Sequence, residues 1–369
     1  EGSVVYLFKI HQQAVMSIFI KTIHNKIKQL NNNDFDGIKL YLAGKQPVSS
    51  ELDELNKKLK SLLKAYSTTH EDKNLFVDFI PESFMRKYAS AYSRACENIL
   101  QSVSKPSNYE FLKELDHVVN KIASQKLNVA EEYDLKVNIN KQKCFRKSDP
   151  FIRYNMFGAV TGRLTTEKNS FPILTMSKDC RFLLSPNNDA FLELDYNACE
   201  LRVLLALNEH EQPDSDLHDW NIENIFDGKI SRKDAKQKIF SWLYDTKVNE
   251  QANKYYNKEK TKEKYYKNGK ITNYYNRSIE CDEQHALNYI IQSTASDMFL
   301  RRVIEIDKLL EGRKSKVAFM IHDSLVIDLA KEDRDLLEQI QNTFSNTELG
   351  TFKTNVSIGK NFGDMRKIK

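Results

Sequence analysis

The chain has 369 residues, of which 29% are charged and 40% hydrophobic, the balance of a globular protein with room for more than one domain. No apolar run reaches the roughly 18 residues of a membrane span, and Ala14 to Ile20, the most apolar early segment, is far too short. With 56 basic against 51 acidic residues the net charge is only +5, so any polyanion partner must be met by local clusters and not by bulk charge.

The five cysteines (Cys96, Cys144, Cys180, Cys199 and Cys281) are scattered without a CxxC pair. That argues against a zinc site and a disulfide framework, and for reduced thiols in a cytoplasmic compartment. The chain opens on Glu1 and not on methionine, so an upstream signal or domain would not be visible.

Residues 1–150 read mostly as helix. Ser50-Glu51-Leu52-Asp53 has the form of a helix start. Leu52, Leu55, Leu59, Leu62 and Leu63 then recur at helical spacing, with lysines on the other face. A second helix is expected from Glu82 to Ser104, stopped by Pro106, and a third from Tyr109 to Gln125. The texture changes over residues 151–210, where a short extended run (Phe191 to Leu194) and a turn (Val160-Thr161-Gly162-Arg163) appear. Residues 211–310 read as helix again. Within them, residues 254–277 interleave lysines with six tyrosines, which suits phosphate contact with base stacking and equally suits an exposed loop. KVAFMIHDSLVIDL (316–329) reads as two strands around a tight turn at His322-Asp323, and TNVSIGKNFGDM as a last strand and turn. Helical blocks around scattered strands predict an α+β fold.

Two acids then stand out. In LELDYNACELRVLLAL (192–207) Asp195 follows an apolar run, and Asp323 sits at a hairpin tip among Phe319, Met320, Leu325 and Val326. Burying two anions together is costly unless cations join them, and oxygen-rich sites of this kind select Mg²⁺ or Mn²⁺. A turn aspartate and a helix-capping aspartate would account for the same residues. A third feature changes the weighting. SRKDAKQKIFSWLYD (231–245) places Arg232, Lys236, Phe240 and Tyr244 at successive four-residue steps, two cations then two aromatics along one helix face. Cations can hold a polyphosphate, and aromatics can stack a base or sugar.

From about residue 150 onward these segments resemble the family A DNA polymerases. LDYNACELR resembles the family's motif A, RKDAKQKIFSWLY its motif B and IHDSLV its motif C. TGRLTT (161–166), DLH (216–218), GKITNYYNR (269–277) and NYIIQSTASD (288–297) resemble four further signatures, in the family's order. The resemblance implies a right-hand fold: a helical thumb within residues 1–150, an antiparallel-sheet palm from 151–210 and 301–369, and helical fingers over 211–300. It implies template-directed extension of a primer 3′-hydroxyl with dNTPs, with two Mg²⁺ ions (Mn²⁺ as substitute) and primer–template DNA as partner. Asp195, Asp323 and the backbone carbonyl of Tyr196 would hold the metals. Arg232, Lys236 and His218 would grip the triphosphate, with Lys236 also neutralising the pyrophosphate. Phe240 would pack on the incoming nucleotide. Tyr244 would close over the nascent pair and bond Glu200, whose side chain would exclude a ribose 2′-hydroxyl. Arg163, Arg277, Asn288, Gln292 and His322 would contact primer or template.

The departures from the family pattern are Ser324 for the usual Glu of HDE, Asp245 for a Gly after motif B, Ser293 and Asn276 for two further glycines, and short fingers. The short fingers and the HDS motif suggest a phage or viral replicase, for which a cytoplasmic location would be the host's cytoplasm. No 3′–5′ exonuclease constellation is visible in the first 150 residues, so proofreading is expected to be absent or upstream, and an upstream helicase–primase segment or a processivity partner would not be visible here. Two other readings remain open. One is a single-subunit RNA polymerase, against which Glu200 argues. The other is an inactive primer–template binder.

Overall fold

The computed structural model describes residues 49–69, 80–102, 107–130, 150–244 and 249–368. The expectations for residues 1–48, for Asp245 and for the side chain of Tyr244 lie outside them. Contacts divide the chain into two compact units, residues 1–113 and 114–369.

In the first unit, α1 (Ser50–Thr69) buries Leu52, Leu55 and Leu59 but leaves Leu62 exposed. Its cap is Ser49, one residue earlier than the sequence suggests, because the Ser49 hydroxyl accepts from the Leu52 amide at 3.1 Å. The next helix, α2 (Glu82–Ser102), meets α1 through an Arg94–Glu51 ion pair at 2.9 Å and through Tyr88, whose hydroxyl donates to Asn56 at 2.8 Å. The third expected helix, α3 (Tyr109–Ala123), runs across the division between the units at residue 113.

The second unit is built on a five-stranded, wholly antiparallel sheet. Its strands are β1 (Ala190–Tyr196), β5 (Lys316–Ile321), β6 (Ser324–Leu329), β7 (Thr354–Gly359) and β8 (Met365–Lys367), in the order β8-β7-β1-β6-β5. Strand β1 is central and alternates. Leu192, Leu194 and Tyr196 are buried on one face, whereas Glu193 and Asp195 on the other are only half-buried. On the apolar side Tyr196 stacks on Phe344 of α10 (Leu337–Ser345), with ring centroids 4.2 Å apart. The Phe344 carbonyl accepts from the Tyr196 hydroxyl at 2.6 Å. The long helix α9 (Glu283–Leu309) packs on α4 (Cys199–Leu207) and on α10.

Two turns beside the sheet carry non-glycine residues in the left-handed region: His322 between β5 and β6 (φ 55°), and Ala198 before α4 (φ 54°). A two-residue hairpin loop needs positive φ, which glycine or asparagine normally supplies.

The Lys/Tyr-rich stretch is not a loop. It folds into the end of α7 (Glu250–Tyr255), α8 (Lys258–Tyr265) and a three-stranded sheet of β2 (Tyr266–Lys267), β3 (Lys270–Thr272) and β4 (Ser278–Glu280). Tyr256 is fully buried and donates to Asn221 at 2.7 Å. Lys260 and Lys264 pair with Glu209, and Lys262 with Glu259. The composition here thus serves packing and ion pairing as well as surface.

Candidate active site

Strand register brings the two acids together. Asp195, the penultimate residue of β1, lies directly opposite Ser324 on β6 and Asn355 on β7, and Asp323 in the turn immediately precedes Ser324. Both acids line one cavity of about 570 Å³ with Arg163, Glu200, His218, Arg232, Lys236, Phe240 and His322. That volume suits a small-molecule ligand. Tyr196 also borders the cavity. Its ring is committed to the core, so its contribution there is backbone.

Burial pushes the Asp195 carboxyl up to about 7, and the neighbouring Asp323 and then Glu193 add to the rise against Lys236. Asn355 offers Asp195 only a long hydrogen bond, 3.4 Å. The Asp323 carboxyl is likewise raised by burial and by Glu200, opposed by Arg163 and His322. Two half-buried carboxyls that resist ionising side by side fit a divalent cation, which would supply the missing positive charge to an all-oxygen donor set. Among the described residues no cluster of three or more acid, histidine or cysteine ligands forms, so Asp195 and Asp323 would leave most coordination positions to water or substrate. Ser324, which stands where the resemblance implies an acid, donates its hydroxyl to Glu193 at 3.1 Å.

Opposite the acids lies α6 (Arg232–Tyr244), the helix the four-residue steps predict. Ala235, Ile239 and Leu243 are its buried side, which aims the intervening Arg232, Lys236 and Phe240 at the cavity. His218, 4% exposed, lies 6.1 Å centroid-to-centroid from Phe240. Burial lowers its pKa, and its buried Nδ1 has no hydrogen-bond partner. His218 borders the cavity, and its orphan nitrogen is buried beside it and unsatisfied as it stands.

Arg232 is held by an acid the sequence reading left out. Asp216 caps α5 (Leu217–Ile225): its Oδ1 accepts from the His218 and Asp219 amides. Its Oδ2 accepts from Arg232 at 2.6 Å and Asn197 at 2.7 Å. Burial opposes ionisation of Asp216, but these hydrogen bonds prevail and hold its carboxyl at about 2. Asn197 in turn accepts from the Leu217 amide, and Arg202 binds the Asn197 carbonyl at 2.8 Å. Fully buried Arg202 also reaches the carbonyls of Pro213 and Ser215, each at 2.9 Å. This network ties the residues after Asp195 to the loop before α5.

Arg163 pairs with Glu200 at 2.6 Å. The described residues give no account of the Tyr244 side chain against Glu200. Arg277, Asn288 and Gln292 do not line the cavity. Asn288, Gln292 and cavity-lining Ser296 follow at four-residue steps, so they form a row along α9 spaced about 6 Å apart. Arg277 is turned inward, with Nε and Nη2 both on the Asp297 carboxylate. Sequence reasoning missed Asn197, Arg202, Asp216, Asp297 and Asn355. All but Asn355 fall inside or beside the quoted motifs, and none follows a helix or strand period that marks its partner.

Comparison with known proteins gives a consistent picture. Residues 233–364 match the family described as DNA polymerase family A. DNA polymerase I of Caldicellulosiruptor bescii is 25% identical over 239 residues, which are 50% of this chain and 28% of that protein. The chain therefore spans well under a third of the length of that curated relative. Among solved structures, the POL domain of Pol1 from M. smegmatis in complex with DNA primer-template and dNTP matches with a TM-score of 0.50 and 16% identity. That match covers 80% of this chain and 56% of the other, and it speaks for the fold.

Proposed function

We propose, from the premise that this chain carries a family A DNA polymerase domain, that it is a template-directed DNA polymerase. It extends a primer 3′-hydroxyl with dNTPs and releases pyrophosphate. The observation that carries this reading is the facing of Asp195 and Asp323 against Arg232, Lys236 and Phe240 across one cavity. In this reading residues 151–210 and 301–369 form the palm, 211–300 the fingers, and helices within 1–150 include the thumb.

Asp195, Asp323 and the Tyr196 carbonyl would hold two Mg²⁺ ions, which when bound supply Lewis acidity and clamp the oxygens of an in-line displacement. The protein's own contributions follow from the side chains. Arg232 and Lys236 bind the triphosphate, and Lys236 stabilises charge on the departing pyrophosphate. His218, at the cavity wall, would add a phosphate contact. Phe240 packs on the nucleotide. Glu200, held by Arg163, stands beside the sugar and rejects a 2′-hydroxyl by steric and polar mismatch. Asn288, Gln292 and His322 contact the duplex through sugar, phosphate or minor-groove acceptors, without reading sequence. The same Glu200 is the feature that favours deoxynucleotides over a single-subunit RNA polymerase reading.

Primer extension on a defined template with Mg²⁺ tests the proposal. The parent protein should incorporate dNTPs, and Asp323→Ala should lower the rate by at least about a thousandfold, several kcal/mol of transition-state stabilisation. Extension by the variant at the parent rate, or preferred use of rNTPs by the parent, would overturn it.

A further inference from the structure

The turn that carries Arg163 has no regular element of its own to hold it. It is the loop of a two-residue ladder, Tyr154–Asn155 with Thr165–Thr166, closed by a hydrogen bond from the Gly162 amide to the Ala159 carbonyl at 3.0 Å. What presses it into place is Arg277. Gly162 lies so close to that guanidinium that a Cβ on it would sit 2.5 Å from Nη2 and 2.6 Å from Cζ. Its φ of +79° would strain any other residue independently.

The guanidinium is itself rigidly held. Nη2 lies 2.6 Å and Nε 3.0 Å from the two oxygens of Asp297, a carboxylate buried in α9. Asn273 completes the fixture. Its Nδ2 donates to Asp297 at 2.8 Å and to Ser293 at 3.1 Å, while its Oδ1 accepts from the Arg277 and Tyr275 amides. A bidentate, buried pair of this kind has one geometry, unlike a solvated cation.

We infer that Arg277 is a positioning residue. It is the abutment that fixes the 159–163 turn and so aims Arg163 at the cavity and at Glu200, and it is not a separate contact to DNA. The inference rests on the polymerase reading for its consequence, but its geometric core does not. A chain of contacts runs from α9 through Asp297, Arg277 and Gly162 to Arg163 and Glu200. Disturbing any link should act through Arg163.

The test uses the full chain and the variants Arg277→Lys, Gly162→Ala and Arg163→Ala, each first checked for a cooperative melt. Gly162→Ala keeps the Arg277 and Asp297 side chains and strains only the contact between turn and guanidinium, so it tests that contact without deleting a member of the ion pair. Hydrogen–deuterium exchange without DNA comes first. Protection of peptides spanning 159–166 should fall severalfold in Arg277→Lys and in Gly162→Ala, and unchanged protection in either overturns the inference whatever the protein binds. Primer–template affinity across a salt series comes second. Each single variant should bind about tenfold more weakly, about 1.4 kcal/mol. Arg277→Lys added to Arg163→Ala should then change neither affinity nor salt slope by more than about twofold, the signature of two residues acting as one. Multiplying effects, or a further change in salt slope, would mark Arg277 as a phosphate contact in its own right and overturn the inference. Should the parent fail to bind primer–template in a salt-sensitive way, the proposed function falls while the exchange measurement still decides the role of Arg277.

Discussion

Asp216→Asn isolates the competition for Arg232. The two oxygens of Asp216 have separate duties: Oδ1 caps α5, and Oδ2 accepts from Arg232 and Asn197. Asparagine is as good a helix cap as aspartate, so the helix start survives the change. The anion facing Arg232 does not. In the parent, a triphosphate must take the guanidinium from Asp216, whose short 2.6 Å contact is partly open to solvent, with Arg232 52% and Asp216 22% exposed. Pairs so exposed contribute about 0.2–1 kcal/mol, so releasing Arg232 should lower the KM for dNTP by up to about fivefold with kcat little changed. Steady-state primer extension at fixed template measures both. A raised KM with a lowered kcat would refute the reasoning and show that Asp216 aligns Arg232 for the substrate more than it competes with it. The same pair sets a pH dependence. Because Asp216 is depressed to about 2, its stabilisation is fully present above the ordinary aspartate value near 4. It is lost as pH falls from about 4 toward 2, and Asp216→Asn should flatten that part of a melting-temperature profile.

Two further outcomes follow from the same site. Arg202→Met should lower thermal stability by about 3–5 kcal/mol, since it strips the Asn197, Pro213 and Ser215 carbonyls of a fully buried donor. At about 2–4 °C per kcal/mol for a unit of this size, calorimetry should record a fall of roughly 6–20 °C, and a change below 2 °C would contradict the assignment. Ser324→Glu, which supplies the acid that HDE-type motifs carry, should not increase activity. Ser324 is 6% exposed and already bonds Glu193, so a carboxylate there is overpacked and opposed by a like charge, at about 1–3 kcal/mol. Melting and extension assays should both decline, and a gain in rate would show that Glu193 yields easily.

What the sequence made legible is what repeats with a period or breaks one. Arg232, Lys236 and Phe240 were readable because four-residue steps lie on one helix face, and α6 spans the quoted residues. Asp195 and Asp323 were readable because an acid after an apolar strand has no stabilising reason to be there. The ordered fold of residues 254–277 was not, because lysines paired with glutamates and a buried tyrosine have the composition of a loop. Nor was the Asn197–Asp216–Arg202 network, in which side chains bind loop carbonyls. A carbonyl is present at every position and leaves no mark in the sequence. Arg277 shows the limit most sharply: the resemblance implies a template or fingers contact, and the pairing of its guanidinium with Asp297 is visible only in the fold.

The strain at the site has a consistent direction. His322 and Ala198, flanking the two acids in sequence, both hold left-handed backbone that costs about 1–2 kcal/mol for a residue with a Cβ. The acids beside them are raised by burial and by neighbouring carboxylates, Asp323 for Asp195 and Glu200 for Asp323. His218 adds a buried nitrogen without a partner, and α4 begins at Ala198 with no side-chain cap. Each is unfavourable for the free chain, and in the proposed function cations would relieve the two carboxylates. Sheet register fixes Asp195 opposite Ser324, so the acids cannot escape one another by local adjustment. The antiparallel pairing of β1, β6 and β7 is therefore also what holds the site residues at the end of the sheet together.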